Sequence, residues 1–579
     1  MVEKLKELIE NGDYIQARNL ANQLFMQGEQ SEVYWILNAT LYQIEGQREA
    51  EFACMSRGLQ KNPSNYELYY MLGNYYGVTN INQAYLCYEQ AVYYCDNEAD
   101  KAFIQEQMKE IRQMEGFSVH PVSIVILSYN IKDILIGCVE SIRNTCPKEA
   151  YELVIVDNAS TDGVTDWLKE QSDIVLRCNT ENAGFAGGCN QGIEMAAPEN
   201  DIMLLNNDTL MPPNALFWMR IALYERETVG AVGPITNYAG NDQQLVEALG
   251  SIEEYFELSK QICVPMPNCY ENKLWLVGFA MIIKRCAVDK VGGLDTRYGW
   301  GNYEDNDYGM KLSQAGYELL LCHNSFVFHY GSLNMSKEKE KYLHYMEINQ
   351  KKLIDKWGFD VPYYTYPRKD LIAKVNRPEK EKIVILEIGC GCGATLGKLK
   401  YMYPNAELHG IELVESVASY GKYLANIIAG NIENIKLPYE KERFDYIICG
   451  DVLEHLHEPE RVLSELREYL KQGGKLIASI PNIMNISVIV ELLKGNFTYK
   501  DAGILDRTHI HFFTKKEIEK MLVECGYKII SLDSIEFREP LEVDNEELIE
   551  AIYQLPGIAE QEEFETYQYI VVAEGNCNE

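Results

Sequence analysis

The chain has 579 residues, 47% hydrophobic and 24% charged, which suits several globular domains and excludes a disordered or fibrous class. Its 53 basic and 87 acidic residues leave a net charge of −34, a field that repels nucleic acid and anionic lipid over any broad surface. No apolar run approaches the ~18 residues of a membrane span, and the 16 cysteines are scattered with no C-x-x-C pair, so neither a zinc framework nor a disulfide scaffold is expected. The opening "MVEKLKELIENGDY" is a charged amphipathic helix without the apolar core of a secretory signal. The expected location is the cytoplasm, or the periphery of the inner membrane face.

Residues 1–116 are helical in period and repeat internally. Trp35, Asn38, Ala39 and Tyr42 recur 34 residues later as Tyr69, Leu72, Gly73 and Tyr76, and Gly12 to Gly46 is the same interval. This resembles the tetratricopeptide repeat, which implies a solenoid of stacked helix pairs. Small residues let paired helices approach, aromatics fill the gaps, and the stack binds a protein partner. An unrelated helical bundle is the plainer alternative.

"EGFSVHP" (Glu115–Pro121) breaks that period. Over 117–365 the β-rich runs "VSIVIL", "ELVIVD", "DIMLLN" and "AMIIK" alternate with helical stretches, an α/β pattern. The first run ends in Ser128, Tyr129 and Asn130, the second in "DNASTDG" (Asp157–Gly163). Then come the glycine-rich "NAGFAGGCNQGI" (Asn182–Ile193) and "LLNNDT" (Leu204–Thr209). Ligands bind at the carboxyl ends of parallel strands. There an acid accepts hydrogen bonds from a ribose or base edge, and a glycine turn lets backbone approach a nucleotide. Taken singly, each has a plainer reading: an Asx turn for "DNASTDG", a solvated loop for "YEDNDYG", a polar turn for "NNDT".

In this order they resemble the family 2 glycosyltransferases of the GT-A type, especially the rhamnosyltransferase-like branch of bacterial surface-polysaccharide synthesis. "GGLDTRYGWGNYEDNDYGMKLSQAGYEL" (Gly292–Leu319) and "FVFHYGS" (Phe326–Ser332) extend the likeness. The resemblance implies an α/β nucleotide-diphospho-sugar transferase domain. Asp157 would bind the nucleoside, with Ser128, Tyr129, Asn130, Asn158 and Gly184 beside the nucleotide sugar. Asp208 matches the last acid of the metal-binding D-x-D motif, with Asn206 and Asn207 giving uncharged contacts, and His329 matches a histidine that binds the metal in some members. Asp305 matches the catalytic base; of Glu304 and Asp307, one would orient that base and the other cap the helix. Where the branch often has Asp-Leu-x-x-Arg, this chain has Asp307, Tyr308 and Lys311, and a lysine lacks the bidentate fork that holds an anion. The chemistry suits these residue types. Inverting transfer needs a carboxylate to take the acceptor hydroxyl's proton. It also needs positive charge, from magnesium or manganese, on the departing diphosphate.

"YPRKDLIAKVNRPEKEK" (Tyr366–Lys382) reads as a linker over 366–381, and a third region covers 382–579. Its "VILEIGCGCGATLGKL" (Val384–Leu399) lacks the Gly-Lys-Ser/Thr of a P-loop and the spacing of a dinucleotide motif. The E-x-G-x-G-x-G closing a first strand resembles the class I S-adenosylmethionine-dependent methyltransferases, an α/β Rossmann-like fold. The resemblance implies S-adenosylmethionine against Glu387, Gly389, Gly391, Gly393 and Asp451, its ribose on Glu412, and its adenine near Asn431 and Ile432 of "GNIEN". "DRTHIHFFT" (Asp506–Thr514) also recurs in members acting on small molecules and sugars. His455 and His509 are the candidate bases for an acceptor hydroxyl. Asp451, Glu454 and His455 stand at i, i+3 and i+4, one helical face. Some quinone-pathway O-methyltransferases use such a triplet for a divalent ion; capping of the turn is the plainer account, and N-methylation stays open.

The expected protein is a bifunctional enzyme that adds a sugar from a nucleotide donor, with inversion, to a surface glycan or a flagellin-type protein, and methylates it. Rival readings are a glycosyltransferase with a non-catalytic methyltransferase module, and a tetratricopeptide scaffold with degenerate catalytic domains.

Overall fold

The computed structural model describes residues 1–331, 339–538, 545–555, 557 and 559–575; Ser332 and part of the acidic stretch Leu541–Glu565 lie outside them. The chain divides into two compact units, Met1–Gly358 and Phe359–Glu579. Among the described residues no helix is long and apolar enough to cross a membrane.

The first unit opens with seven helices: α1 (Val2–Glu10), α2 (Tyr14–Met26), α3 (Glu32–Ile44), α4 (Arg48–Lys61), α5 (Tyr66–Gly77), α6 (Ile81–Tyr94) and α7 (Glu98–Ile111). Side chains of Asp13, Ser31, Asn65, Asn80 and Asn97 accept backbone N–H bonds at five of their N-termini, satisfying donors a helix start leaves unpaired. Successive helices pack as pairs, α3 on α4 and α5 on α6. Gly73 explains the second pair: a Cβ there would stand 2.2 Å from the Tyr88 ring.

These helices share one continuous core with the sheet that follows. Asn80, which caps α6, and the α6 side chains Gln83 and Gln90 bond to the Tyr224 carbonyl, the Ile221 carbonyl and the Asn214 side chain at 2.8, 3.1 and 2.9 Å. Buried Arg220 pairs with Glu89 of α6. One face of the repeat region is therefore spent on the α/β part of its own chain.

That part is an eight-stranded sheet: β1 (Val122–Ser128), β2 (Tyr151–Asp157), β3 (Ile174–Cys178), β4 (Asp201–Asn206), β6 (Val229–Ile235), β7 (Tyr270–Lys273), β8 (Ala280–Ile283) and β9 (Glu318–Phe326), in the order β3-β2-β1-β4-β8-β6-β9-β7. β3, β2, β1 and β4 are parallel, so Asp157 and Asn206 end on one edge with Ser128 between them. β5 (Thr209–Leu210) and β10 (Phe328–His329) form a separate two-stranded ladder pairing Thr209 with His329.

The second unit is a seven-stranded sheet: β11 (Val384–Ile388), β12 (Glu407–Glu412), β13 (Asn426–Ala429), β14 (Phe444–Gly450), β15 (Leu470–Pro481), β16 (Tyr527–Glu536) and β17 (Thr566–Gly575), ordered β13-β12-β11-β14-β15-β17-β16. β17 runs antiparallel to both neighbours; β13, β12, β11, β14 and β15 are parallel. The stretch expected as a linker belongs to this unit. Leu371, Ile372 and Val375 are buried in its core, and Arg368 is bonded to Asp370, Asp451 and Ser479. Buried apolar side chains within a charged stretch make it structure rather than spacer.

Candidate active sites

The β5–β10 ladder brings two distant residues together. His329 Nε2 lies 3.2 Å from Asp208 Oδ1, and both side chains are buried. The ring is held from its other side: Nδ1–H donates to the Tyr238 carbonyl at 2.8 Å, while Asn237 exchanges two bonds of 2.8 Å with the His329 backbone. A carbonyl only accepts, so the neutral ring carries its proton on Nδ1 and turns the Nε2 lone pair toward a carboxylate. Nε2 has no hydrogen-bond partner. Two acceptors facing each other in a buried place want a cation between them, a metal ion or a proton. The donor set, one imidazole and one carboxylate with further positions left for substrate oxygens, fits magnesium or manganese.

Asn206 and Asn207 are partly exposed beside this pair. Their signal in the sequence was visible; Phe279's was not. The Phe279 ring stacks on His329, centroids 5.2 Å apart and 16° from parallel, and its carbonyl accepts the Asn206 N–H at 2.8 Å. The residue before it, Gly278, donates its N–H to Asp305 Oδ2 at 3.3 Å. One dipeptide thus ties the Asp208–His329 pair to the acidic helix.

Asp305 opens that helix (Glu304–Gln314) beside Glu304. Burial and the neighbouring Asp305 charge push the Glu304 carboxyl up to about 8, and burial raises Asp305 as well. A partly exposed carboxyl whose proton affinity is raised beside a second, buried acid is suited to proton transfer. Asp307 neither caps the helix nor touches this pair. It is fully buried and receives Lys356 Nζ at 2.6 Å and Trp357 Nε1–H at 2.9 Å, from the helix Lys339–Trp357. Lys311 donates to the Gly293 carbonyl at 2.7 Å.

The residues expected around the nucleotide mostly organise loops. Asp157 accepts from the Ser160 N–H and the Thr165 hydroxyl at 3.3 and 2.5 Å. Buried Asn158 donates to Asn182 and accepts from the Ala183 N–H, fixing the glycine run to the end of β2. Asn130 Oδ1 accepts the Thr161 N–H at 2.7 Å. Ser128 Oγ is buried without a partner, and Tyr129 is partly exposed. The glycines divide by task. Gly188 and Gly192 let the helix Gly184–Met195 lie on β1, against Leu127 and Val125. Gly184 has φ +75 and a Cβ there would stand 2.4 Å from the Gly299 carbonyl oxygen. Gly184→Ala is expected to cost about 1–3 kcal/mol and to part the glycine run from the Gly299 loop; urea unfolding with nucleotide titration checks both.

In the second unit Gly389, Gly391 and Gly393 all have positive φ (70, 54 and 79). The turn they make is closed by Glu412, which accepts the Gly391 and Val414 N–H groups at 2.9 Å each from the tip of β12. Glu387 is buried with Oε2 unpartnered, and burial pushes its carboxyl up to about 8. Such acids with unfilled acceptor capacity suit the cationic, hydroxyl-rich ends of S-adenosylmethionine. Ile432 is buried and Asn431 partly so, after β13, where Asn431 caps its own turn through the Glu433 N–H.

The helical face expected for Asp451, Glu454 and His455 does not form. Asp451 has φ +52, and Leu453–His455 is a single 3₁₀ turn. The Asp451 carboxylate is consumed by Arg368 at 2.5 Å, Ser479 at 2.8 Å and Gln568. What assembles instead is Glu454, His455 and His509, with ligand atoms all within 4.8 Å of one another. Nδ1 of His455 and of His509 face the Thr508 and Ile504 carbonyls at 3.1 and 2.9 Å, so both Nε2 lone pairs are available. Both Glu454 oxygens are buried without partners, and burial raises its carboxyl well above the ordinary range. Two imidazoles and an unpaired carboxylate fit a divalent cation.

Comparison with known proteins agrees with this division. The family model described as glycosyl transferase family 2 matches residues 123–280, and a model described as a methyltransferase domain matches 363–532. An uncharacterized protein of Methanocaldococcus jannaschii is 29% identical over 200 residues, 34% of this chain and 87% of that protein. A ubiquinone biosynthesis O-methyltransferase of Coxiella burnetii is 23% identical over 26% of this chain and 67% of its own length. A poly(ribitol-phosphate) beta-glucosyltransferase of Bacillus spizizenii is 35% identical over 17% of this chain and 16% of its own length. Among solved structures, a SAM-dependent methyltransferase from Archaeoglobus fulgidus, 20% identical, covers 37% of this chain and 96% of its own at a TM-score of 0.27, too low to add to the family match. The chain thus carries a domain matching the family 2 glycosyltransferases and a domain matching methyltransferases, and it is an enzyme with transferase domains of both kinds.

Proposed function

We propose that the protein transfers a sugar from a nucleotide-diphosphate donor, with inversion, to a glycan or protein acceptor, and methylates the sugar or glycan so built. The observation that carries this reading is the pair of facing acceptors, His329 Nε2 and Asp208 Oδ1, joined through Gly278–Phe279 to the raised acids Glu304 and Asp305. Asp208 and His329 would hold a divalent ion, which supplies positive charge for the departing diphosphate. Asp305 takes the acceptor hydroxyl's proton as that oxygen attacks the anomeric carbon, and its raised affinity for protons makes it a stronger base than an exposed aspartate. Asn206 and Asn207 give the donor uncharged contacts, Asp157 and Asn158 shape the nucleoside end, and Gly184 keeps the loops together.

In the methyltransferase, Glu412 and Glu387 would bind S-adenosylmethionine, which supplies the methyl group. His455 and His509 orient the acceptor hydroxyl and receive its proton, or with Glu454 hold a divalent ion that lowers the hydroxyl's pKa. Burial and the His509 neighbour depress His455, keeping that imidazole neutral and able to accept. The intact chain should bind manganese in the second unit as well as at Asp208 and His329, and Glu454→Ala should remove one of the two bound ions. This is read by paramagnetic resonance of the ion, with methyl transfer falling in EDTA as the companion measurement.

The repeat region, resembling tetratricopeptide pairs, has α6 committed to the transferase; its remaining faces are the place for a protein acceptor or partner. Joining both activities in one chain raises the local concentration of the glycosylated intermediate. Incubation with a panel of nucleotide sugars and labelled S-adenosylmethionine should put both labels on one product. Methylation of acceptors that never receive the sugar would overturn the joint function.

A further inference from the structure

Gln243 is fully buried, and both ends of its amide are engaged. Oε1 accepts the Val277 N–H at 2.6 Å, and Nε2 donates to the Pro234 carbonyl at 3.1 Å. An N–H only donates and a carbonyl only accepts, so this amide has one orientation. The Gln243 carbonyl accepts the Thr236 N–H at 2.8 Å, and the Leu245 N–H returns to the Thr236 carbonyl at 2.8 Å, closing a loop over 236–245. Asn241 and Asp242 on that loop have φ +55 and +62, successive left-handed residues that persist only where their surroundings impose them. Asn241 Nδ2 adds a bond to the Trp275 carbonyl at 2.5 Å. Gly233 makes the room: a Cβ there would stand 3.3 Å from Gln243 Nε2.

The loop and the segment it docks on hold the two functional groups of the proposed site. From the loop, Asn237 and the Tyr238 carbonyl grip His329, and the Tyr238 ring meets the imidazole edge-on, centroids 5.9 Å apart at 63°. From the segment, Phe279 stacks on the same imidazole and Gly278 donates to Asp305. Val277, which Gln243 fixes, comes directly before both. One buried amide thus joins the two sides of the His329 ring and reaches the strand end that bonds Asp305.

We infer that Gln243 is a positioning residue that sets His329 and Asp305 relative to each other. It touches neither; it acts through Asn237 and Tyr238 on one side and through Val277, Gly278 and Phe279 on the other. This rests on the transferase reading, in which the donor's cation sits on His329 and the acceptor's proton goes to Asp305. Those two places must keep a fixed separation, because a misplacement of about 1 Å costs around 10²-fold in rate.

The test uses the full chain as wild type, Gln243→Met and Gln243→Glu, with circular dichroism to confirm folding. Calorimetry of uridine diphosphate with manganese reads the His329 side, and kcat for sugar transfer at saturating donor reads the Asp305 side. Methionine matches the length and makes neither bond, so both quantities should fall by about tenfold or more. In Gln243→Glu a protonated carboxyl accepts from Val277 and donates to Pro234, whereas an ionised one turns an oxygen on the Pro234 carbonyl. Both quantities, as ratios to wild type, should therefore climb toward one on acidification, a rescue that a general loosening of the loop would not produce. A folded Gln243→Met that keeps either quantity overturns the inference, as does a Gln243→Glu ratio that is flat with pH. If Gln243→Met does not fold, the Gln243→Glu ratios decide alone. Absence of manganese-dependent nucleotide binding in wild type would instead overturn the transferase reading, so the two fail separately.

Discussion

Asp305→Asn is expected to lower sugar transfer by about 10²–10⁴-fold, the range for removing a positioned base, while methyl transfer to a supplied glycan is retained. The asparagine keeps the shape and still accepts the Gly278 N–H, which now bonds Asp305 Oδ2 at 3.3 Å. What it loses is the capacity to take a proton. Burial raises the Asp305 carboxyl, so in the wild type the base gains its proton at a higher pH than an exposed aspartate would. Transfer should therefore fall on acidification earlier than an ordinary carboxylate predicts, and that limb should vanish in the variant. Glu304→Gln should keep most of the transfer, because Glu304 is the acid that burial and its neighbour keep protonated. Steady-state rates across pH for the three proteins check this; equal losses in Glu304→Gln and Asp305→Asn would remove Asp305 from the role of base.

Lys356→Met should destabilise the first unit by about 3–5 kcal/mol, the cost of stranding a buried charge. Asp307 is fully buried and has Lys356 at 2.6 Å as its ion-pair partner. Asp295 keeps Arg297, whose hydrogen bond with Lys356's holds that carboxyl below the usual range. The damage should therefore centre on Asp307. The double variant Lys356→Met with Asp307→Leu should recover part of the loss, because no charge then remains buried. It should not fully recover sugar transfer, since the Lys356–Asp295 tie to the loop before the acid pair is still missing. Denaturant unfolding of the single and double variants reads the first effect and transfer kinetics the second.

The elements legible in the sequence were those set by local rules. The β-rich runs marked strands, three of them parallel and "AMIIK" antiparallel to β4, and the recurring spacing of Trp35 and Tyr69 marked a helical region in which both residues lie on helices, Glu32–Ile44 and Tyr66–Gly77. The positive-φ glycines at 389, 391 and 393 marked the methyltransferase turn. The illegible parts depend on chain segments meeting from afar. Phe279, just before the run "AMIIK", carried no local signal, yet it stacks on His329. Arg368 sat in a charged stretch that read as a linker, and it occupies Asp451. The helical spacing of Asp451 and Glu454 misled because Asp451 adopts a left-handed backbone, φ +52, which the spacing does not announce. His509 joins Glu454 only through the fold, the loop that carries it folding back so that the Ile510 N–H reaches the Glu454 carbonyl at 2.9 Å. "LLNNDT" was legible as a strand and a turn and His329 as its partner through the resemblance, while the two-residue ladder that pairs Thr209 with His329 has no local pattern of its own.

The central claim is that Asp208 and His329 hold a cation that receives the donor diphosphate. Its most direct measurement is calorimetric titration of uridine and thymidine diphosphates into the intact protein, with and without manganese, for wild type, Asp208→Ala and Asn206→Ala. Binding that requires manganese in wild type, is abolished in Asp208→Ala and is only weakened in Asn206→Ala is the predicted result. Nucleotide binding of equal strength without the metal, or unchanged in Asp208→Ala, would contradict it.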